Sequence, residues 1–243
     1  MRTPTAAVIV IGNEILSGKV VDTNAAFLTQ ELRGLGVTLC RILVIPDEIA
    51  VIADAIRAYR TAFDYVFTSG GVGPTHDDVT IAGIAAGVGR PVVRHPLLEQ
   101  KIREFSGDTI NEARLKMAEV PDGADLLFDG DLPFPAVRVE NIYVLPGIPE
   151  MFRAKFTSLR PHFAADPFFL RVIYTRAFES AIAGHLNATL AAFPDLMLGS
   201  YPKLSDPEYR VRVTLESKDR TYLERAFAHL LGQLPPDMVV RTE

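Results

Sequence analysis

With 243 residues, 48% of them apolar, the chain can form one large domain, or one of about 150 residues plus a smaller one, and its composition excludes a disordered or low-complexity protein. A net charge of -5 with no Lys/Arg run argues against nucleic acid as a partner, and no stretch approaches the roughly 20 apolar residues of a membrane span. The single Cys40 excludes an internal disulfide and an all-cysteine metal site, suits a reducing cytoplasm, and stands in an apolar strand where a buried, inert thiol is expected. The first residues lack a charged segment followed by a long apolar core, so a soluble protein without an export leader is expected.

Residues 6–11 form an unbroken apolar run ended by Gly12, the pattern of a parallel strand buried on both faces. Ala25, Leu28, Leu32 and Leu35 then recur at helical spacing, with Asp22 or Thr23 able to cap the start and Gly34 or Gly36 to stop the end. Residues 37–45 read as a second strand, Ile49, Ile52, Ala53 and Ile56 as the next helix, and residues 65–68 as a third strand. This alternation predicts βαβ units and an open, mostly parallel sheet with right-handed crossovers. Ligands of such sheets sit beyond the carboxyl ends of the strands, so Gly12-Asn13-Glu14, Pro46-Asp47-Glu48 and the loop over 69–78 should gather on one edge.

After Gly87 come Pro91-Val92-Val93, a charged helix over 96–104 and a short one over 111–118. Residues 136–139 and 141–145 read as a hairpin turning at Glu140-Asn141, which empties into Pro146-Gly147-Ile148-Pro149, a fourth loop for the same site. Pro149 suits the first turn of a helix through Met151, Phe152, Lys155 and Phe156. Pro161 and Pro167 mark the boundary between a domain over 1–165 and another over 166–243. In the second, strands over 169–177, 197–201, 209–216 and 237–241 and helices over 179–193 and 220–231 give the β-α-β-β-α-β order of a ferredoxin-like α+β subdomain, without a catalytic motif. Tyr201-Pro202-Lys203 and Asp206-Pro207-Glu208 connect its central strands; they either reach a neighbouring subunit or turn the chain, and ordinary turn chemistry favours the turn.

The richest stretch is Thr68-Ser69-Gly70-Gly71-Val72-Gly73-Pro74-Thr75-His76-Asp77-Asp78-Val79-Thr80. Gly70, Gly71 and Gly73 let backbone N–H groups crowd an anion, Pro74 stiffens the exit, and Asp78 or Thr80 can cap a following helix whose N-terminus favours phosphate. A bare tight turn is the plainer alternative. Two adjacent carboxylates repel a phosphate, and a divalent metal held by Asp77 and Asp78 resolves that conflict. Asp78 and Asp47 are equally placed to cap helices or to serve catalysis; His76 either protonates a leaving phosphate or is merely solvated; Glu14 either contacts a substrate hydroxyl or metal or does neither. Asp22 and Asn24 read as a capping pair or as ligand contacts, and Arg114 and Lys116 as phosphate contacts or a solvated helix face.

Gly12-Asn13-Glu14-Ile15-Leu16-Ser17-Gly18, Asp22-Thr23-Asn24, the glycine loop and Leu145-Pro146-Gly147-Ile148-Pro149 together resemble the competence/damage-inducible protein A (CinA) family of the molybdopterin-binding superfamily. The Thr75-His76-Asp77-Asp78 version, with Asn111-Glu112-Ala113-Arg114-Leu115-Lys116-Met117-Ala118, is still more similar to the molybdopterin-binding-like domain of eukaryotic FAD synthases, and Gly199-Ser200-Tyr201-Pro202 carries a weaker likeness into the second domain. The resemblance implies a three-layer α/β/α domain with a mostly parallel sheet that binds a pterin phosphate or a nucleotide diphosphate. It implies hydrolysis of ADP-ribose in the CinA branch and of FAD in the FAD synthase domain, helped by a divalent metal (magnesium, cobalt or manganese) and by potassium. In the molybdopterin branch, carboxylates matching Asp47 and Asp78 serve adenylylation of molybdopterin or metal insertion. Two departures stand out. The chain stops short of the nicotinamide-mononucleotide deamidase domain of many CinA proteins and lacks the adenylyltransferase domain of FAD synthases, so neither activity is expected. Asp129-Gly130-Asp131-Leu132-Pro133-Phe134-Pro135 replaces a Gly-Thr-Ala-Pro-Gly-type segment, which puts ligand contacts from that side in question.

These readings point to a cytoplasmic homo-oligomer, a dimer or trimer, that hydrolyses a nucleotide diphosphate, or alternatively binds molybdopterin or a nucleotide without chemistry. Asp47 and Asp78 are the expected catalytic residues, and Asp77 and Asp78 the metal ligands. Gly12, Glu14, Asn24, Ser69, Gly70, Gly71, Gly73, Pro74, Thr75, Lys116, Pro146 and Gly147 are the expected substrate contacts.

Overall fold

The computed structural model describes residues 2–128, 132–203, 205 and 207–243. The chain divides into two compact units, Met1–Ala165 and Asp166–Glu243. In the first, β1 (Thr5–Ile11) leads through a single turn, α1 (Asn13–Leu16), to α2 (Asn24–Gly34). β2 (Thr38–Ile45), α3 (Ile49–Ala62), β3 (Tyr65–Ser69) and α4 (Thr80–Val88) continue the alternation. An insert follows, made of β4 (Val92–Arg94), α5 (Pro96–Ser106), α6 (Glu112–Lys116) and β5 (Glu119–Pro121), with β4 and β5 paired as a separate antiparallel ribbon. β6 (Asp125–Leu127), β7 (Ala136–Val139) and β8 (Ile142–Leu145) return to the main sheet, and α7 (Pro149–Leu159) packs against it. The strand order is β2-β1-β3-β8-β7-β6, parallel from β2 to β8 and antiparallel beyond.

Side-chain alternation along β1 builds two cores. Val8 and Val10 meet Leu28 and Leu32 of α2 and Phe152 and Phe156 of α7, while Ile9 and Ile11 meet Ile52 and Ile56 of α3 and Ile84 of α4. Helices on both faces make three layers, which is why β1 shows no polar alternation. On the second face α3 and α4 approach closely, because a Cβ on Gly83 would lie 2.5 Å from Cβ of Ile52 and one on Gly87 2.7 Å from Cβ of Ile56.

The second unit comprises β9 (Phe169–Thr175), α8 (Glu179–Ala192), β10 (Met197–Pro202), β11 (Val211–Ser217), α9 (Arg220–Gln233) and β12 (Val239–Thr242). Its sheet runs β10-β11-β9-β12 with every neighbour antiparallel. Ile173, Val213 and Leu215 pack on Ile182, Leu186, Leu223 and Leu230, so both helices cover one face in the expected ferredoxin-like arrangement.

The structure departs from the sequence reading in a few places. β5 and β6 were not anticipated, because three residues are too few to show a period of two. Cys40 is half-buried rather than buried, since β2 is an edge strand; its Sγ donates to the Thr38 carbonyl at 3.6 Å. The last strand starts at Val239, after residues 236–238 wind into a 3-10 turn. Asp129, Gly130 and Asp131 of the replaced segment and Asp206 of the second-unit turn lie outside the described residues. Among the described residues no helix is long and apolar enough to cross a membrane.

Candidate functional site

Parallel β1, β2, β3 and β8 send their carboxyl ends to one edge, where hydrogen bonds tie the loops together. Gly12 N–H donates to the Ile45 carbonyl at 3.1 Å, Asn13 N–H to Asp47 Oδ2 at 2.8 Å, and Gly70 N–H to the Leu145 carbonyl at 3.3 Å. Asn24, 3% exposed, donates through Nδ2 to Ser69 Oγ at 3.0 Å and to the Gly147 carbonyl at 2.8 Å. Its Oδ1 is buried and has no donor among the described residues. Asp22 accepts from the N–H groups of Asn24 and Ala25, and so caps α2.

The glycine loop is held by backbone geometry. Gly70 and Gly71 have φ of +100° and +64°; a Cβ would fall 2.2 Å from the Ile11 carbonyl oxygen in one and 2.3 Å from Thr80 Oγ1 in the other. Thr80 Oγ1 donates to the Gly70 carbonyl at 2.9 Å and Thr80 N–H to that of Gly71 at 3.0 Å. α4 starts at Thr80, behind Val79 and without a side-chain cap, which corrects the expectation of an Asp78 cap. Asp78 instead folds back: Oδ1 accepts from Gly73 N–H at 2.7 Å, and Oδ2 from Thr75 N–H at 2.8 Å and from the Thr75 hydroxyl. These loop donors stabilise the Asp78 carboxylate, one of the two expected metal ligands. The same bonds reduce the donors the loop can offer a ligand. Gly70 and Gly73 N–H groups are taken, whereas those of Gly71 and Val72 have no partner among the described residues.

Asp47 does not cap α3, whose start at Glu48 has no side-chain cap; it lies beside the loop, with Oδ1 3.5 Å from where a Gly71 Cβ would stand. The Thr75 side chain, its own backbone N–H and the nearby His76 and Lys116 charges hold the exposed Asp77 below the usual carboxylate range. His76 is solvated, its side chain 97% exposed and Nδ1 3.9 Å from Asp77 Oδ1. Among the described residues no three His, Cys, Asp or Glu side chains converge on a metal position. Asp47 and Asp77 are the carboxylates that would hold a divalent ion here, and they would need a ligand to supply further oxygens.

Two cavities flank the loop. The larger, about 580 Å³, is lined by Gly71, Gly73, Pro74, Asp78, Lys116 and Pro146 of the expected contacts, and is otherwise mostly apolar. The smaller, about 100 Å³, takes Glu14, Asn24, Ser69, Gly70 and Gly147. Gly12, Asp47, Thr75 and Asp77 line neither; Gly12 is buried beneath the site, Asp47 is half-buried, and Thr75 and Asp77 are exposed. Lys116 Nζ donates to the Thr75 carbonyl at 2.6 Å. Sequence reasoning missed Lys155 as a site residue. Its Nζ donates to the Phe134 and Pro135 carbonyls at 3.0 and 2.6 Å, it lines the larger cavity, and burial pushes its pKa down to about 8. The available signal was a lysine sharing helical spacing with Met151, Phe152 and Phe156.

A three-layer α/β domain with a glycine loop at its strand ends belongs to the class that binds phosphorylated small molecules. Residues 7–164 match the probable molybdopterin binding domain family, and the chain belongs to that family; residues 167–243 match the FAD synthase middle domain. A protein of Archaeoglobus fulgidus is 34% identical over 90% of this chain and 93% of its own length. A probable FAD synthase of Caenorhabditis briggsae is 33% identical over 90% of this chain but 47% of its own length, so the chain spans about half of that relative. The solved structure of CinA from Thermoplasma acidophilum, described as of unknown function, superposes with a TM-score of 0.61 at 31% identity, covering 66% of this chain and 99% of that one. The likeness to CinA and FAD synthase proteins, first visible in the motifs, therefore holds.

Proposed function

We propose that the chain is a nucleotide-diphosphate pyrophosphatase acting on a substrate such as FAD or ADP-ribose, which brings magnesium, cobalt or manganese with it, with potassium as an accompanying cation. The observation that carries this reading is that Gly71 and Val72, whose N–H groups have no partner among the described residues, line the larger cavity with Lys116, while Asp47 Oδ1 lies 3.5 Å from where a Gly71 Cβ would stand. Cavities on both sides of the loop suit a ligand with two arms. The FAD synthase names among the relatives support a flavin nucleotide in particular.

The Gly71 and Val72 N–H groups hold phosphoryl oxygens, and Lys116 adds positive charge where the leaving phosphate develops its own. Among the described residues Asp47 Oδ1 accepts no hydrogen bond, and it orients water and takes its proton as the water oxygen attacks phosphorus and the P–O–P bridge breaks. Asp78 acts at one remove, fixing the loop through Gly73 and Thr75. A bound ion supplies charge neutralisation at the phosphoryl oxygens.

The purified protein is expected to release AMP from FAD or ADP-ribose, and Asp47→Asn to lower kcat by about a hundredfold or more with unchanged circular dichroism. Substrate binding without AMP release under any of these ions overturns the proposal. That outcome would select the second reading, a molybdopterin or nucleotide binding protein without chemistry, which draws support from the engaged Asp78 carboxylate and the lack of three converging metal ligands among the described residues.

A further inference from the structure

Lys155 carries chemistry that the proposed hydrolysis does not use. It shares one face of α7 with the fully buried Phe152, Phe156 and Leu159, and it lines the larger cavity. Elsewhere in the same unit Arg60, Arg90, Arg94 and Arg138 each pair with a carboxylate. Lys155 has no such partner among the described residues: Nζ donates to the Phe134 and Pro135 carbonyls at 3.0 and 2.6 Å, and burial pushes its pKa down to about 8. At pH 7 about one Lys155 in ten is then a neutral amine, against roughly one in three thousand for a lysine titrating at 10.5.

A neutral amine has two hydrogens and one lone pair. The two carbonyls match both hydrogens, so the nitrogen is fixed in place with its lone pair unengaged, the condition of a lysine that attacks carbonyl carbon. The other charged groups that line the same cavity are Arg114 and Lys116 of α6, Asp78 and Glu119. Asp78 is held by Gly73 and Thr75, and among the described residues neither Arg114 nor Lys116 forms a close ion pair, so an anionic reactant meets two cations. The remaining wall is mostly apolar, which disfavours the water that would reverse a condensation.

We propose that Lys155 is a nucleophilic amine that captures the carbonyl carbon of a phosphorylated aldehyde as an imine, with Arg114 and Lys116 holding the phosphate. The Nζ lone pair forms the N–C bond as the carbonyl π pair moves to oxygen, and one amine proton passes to that oxygen. The hydroxyl so formed leaves as water with the second amine proton as the C=N bond closes. An aldehyde needs no leaving group beyond that water, and open-chain sugar phosphates belong to the class. The inference goes beyond the proposed function and needs no P–O–P cleavage.

Pyridoxal 5′-phosphate is a phosphorylated aldehyde, and borohydride reduces its imine to a stable amine, so peptide mapping of the full wild-type chain reads each lysine separately. At pH 7.5 Lys155 is expected to label at least about tenfold faster than the exposed Lys19 and than Lys116 in the same cavity. Its rate should level off above about pH 8 while that of Lys19 keeps rising. Pyridoxal without the phosphate should label Lys155 about tenfold more slowly, and FMN, one product of FAD cleavage, should protect it once bound. A Lys155 that labels no faster than Lys19 or Lys116 is only a brace for the Phe134 and Pro135 carbonyls, and overturns the proposal. Equal rates with pyridoxal and its phosphate, or labelling unchanged at FMN concentrations where calorimetry shows FMN bound, overturn it as well. Absence of dinucleotide turnover would sink the pyrophosphatase reading and leave this one standing.

Discussion

The two units are built from the same kinds of elements, and the loops of the candidate site gather in the first. β2, β1, β3 and β8 are parallel, so four loops leave from one edge and bond to one another there. In the second unit every neighbouring pair is antiparallel, and adjacent strands end at opposite edges. The treatment of charge differs as well. Arg171, Arg210 and Arg220 of the second unit lie over Phe227, Phe178 and Phe169 at 4.2 to 4.8 Å from the ring centres, where cation–π attraction satisfies them. Arg114, Lys116 and Lys155 of the first line one cavity, and among the described residues none of the three forms a close ion pair. Strand direction, rather than composition, distinguishes the unit that carries the candidate site from the other.

The largest test of that contrast lies in the second unit. Leu230 is fully buried in its core, and Leu230→Ala is expected to lower the unfolding free energy by about 2–5 kcal/mol in urea titrations. FMN affinity should stay within about twofold; a parallel loss of affinity would show that the second unit shapes the site.

A somewhat smaller effect is expected from pH. Lys155 has a folded pKa of about 8 against 10.5 for an ordinary lysine, so burial of its charge destabilises the folded state fully below about pH 8. The penalty fades as pH rises from about 8 to 10.5, where the unfolded chain holds the proton and the folded one does not. Wild type should therefore gain stability relative to Lys155→Met across this window, by up to about 3 kcal/mol, in denaturant titrations at stepped pH. Parallel curves for the two proteins would mean that Lys155 is better solvated than its contacts indicate. The smallest effect concerns the loop: Asp78→Asn removes the charge-assisted bonds to Gly73 and Thr75, and should weaken FMN binding about tenfold, near 1.5 kcal/mol, with little change in thermal midpoint. An unchanged affinity would separate loop geometry from phosphate binding.

Much of this was legible in the residues. The run Ala6-Ala7-Val8-Ile9-Val10-Ile11 announces a strand covered on both faces, and the alternation that follows dictates a parallel sheet whose loops converge. The glycine loop, Asp47, Asn24 and Gly147 could be placed at that edge because each follows a strand or opens a helix there. The partner of Asp78 could not be read, since Asn, Asp and Ser near a helix start serve the helix or their own loop with equal ease, and only the backbone path decides between them. β5 and β6 were hidden by their shortness, and Lys155 by the ordinary habit of lysine to reach solvent.

The amino-acid sequence by itself determined the layers, the parallel core and the edge at which the loops of the candidate site gather, because burial periodicity and turn chemistry are local properties written in neighbouring residues. Tertiary structure alone decided which N–H groups remain free, that Asp78 braces its loop, and that three cations face one apolar cavity. These depend on how distant segments meet, as when α6 and α7 bring Lys116 and Lys155 to the same space. No spacing along the chain encodes that meeting.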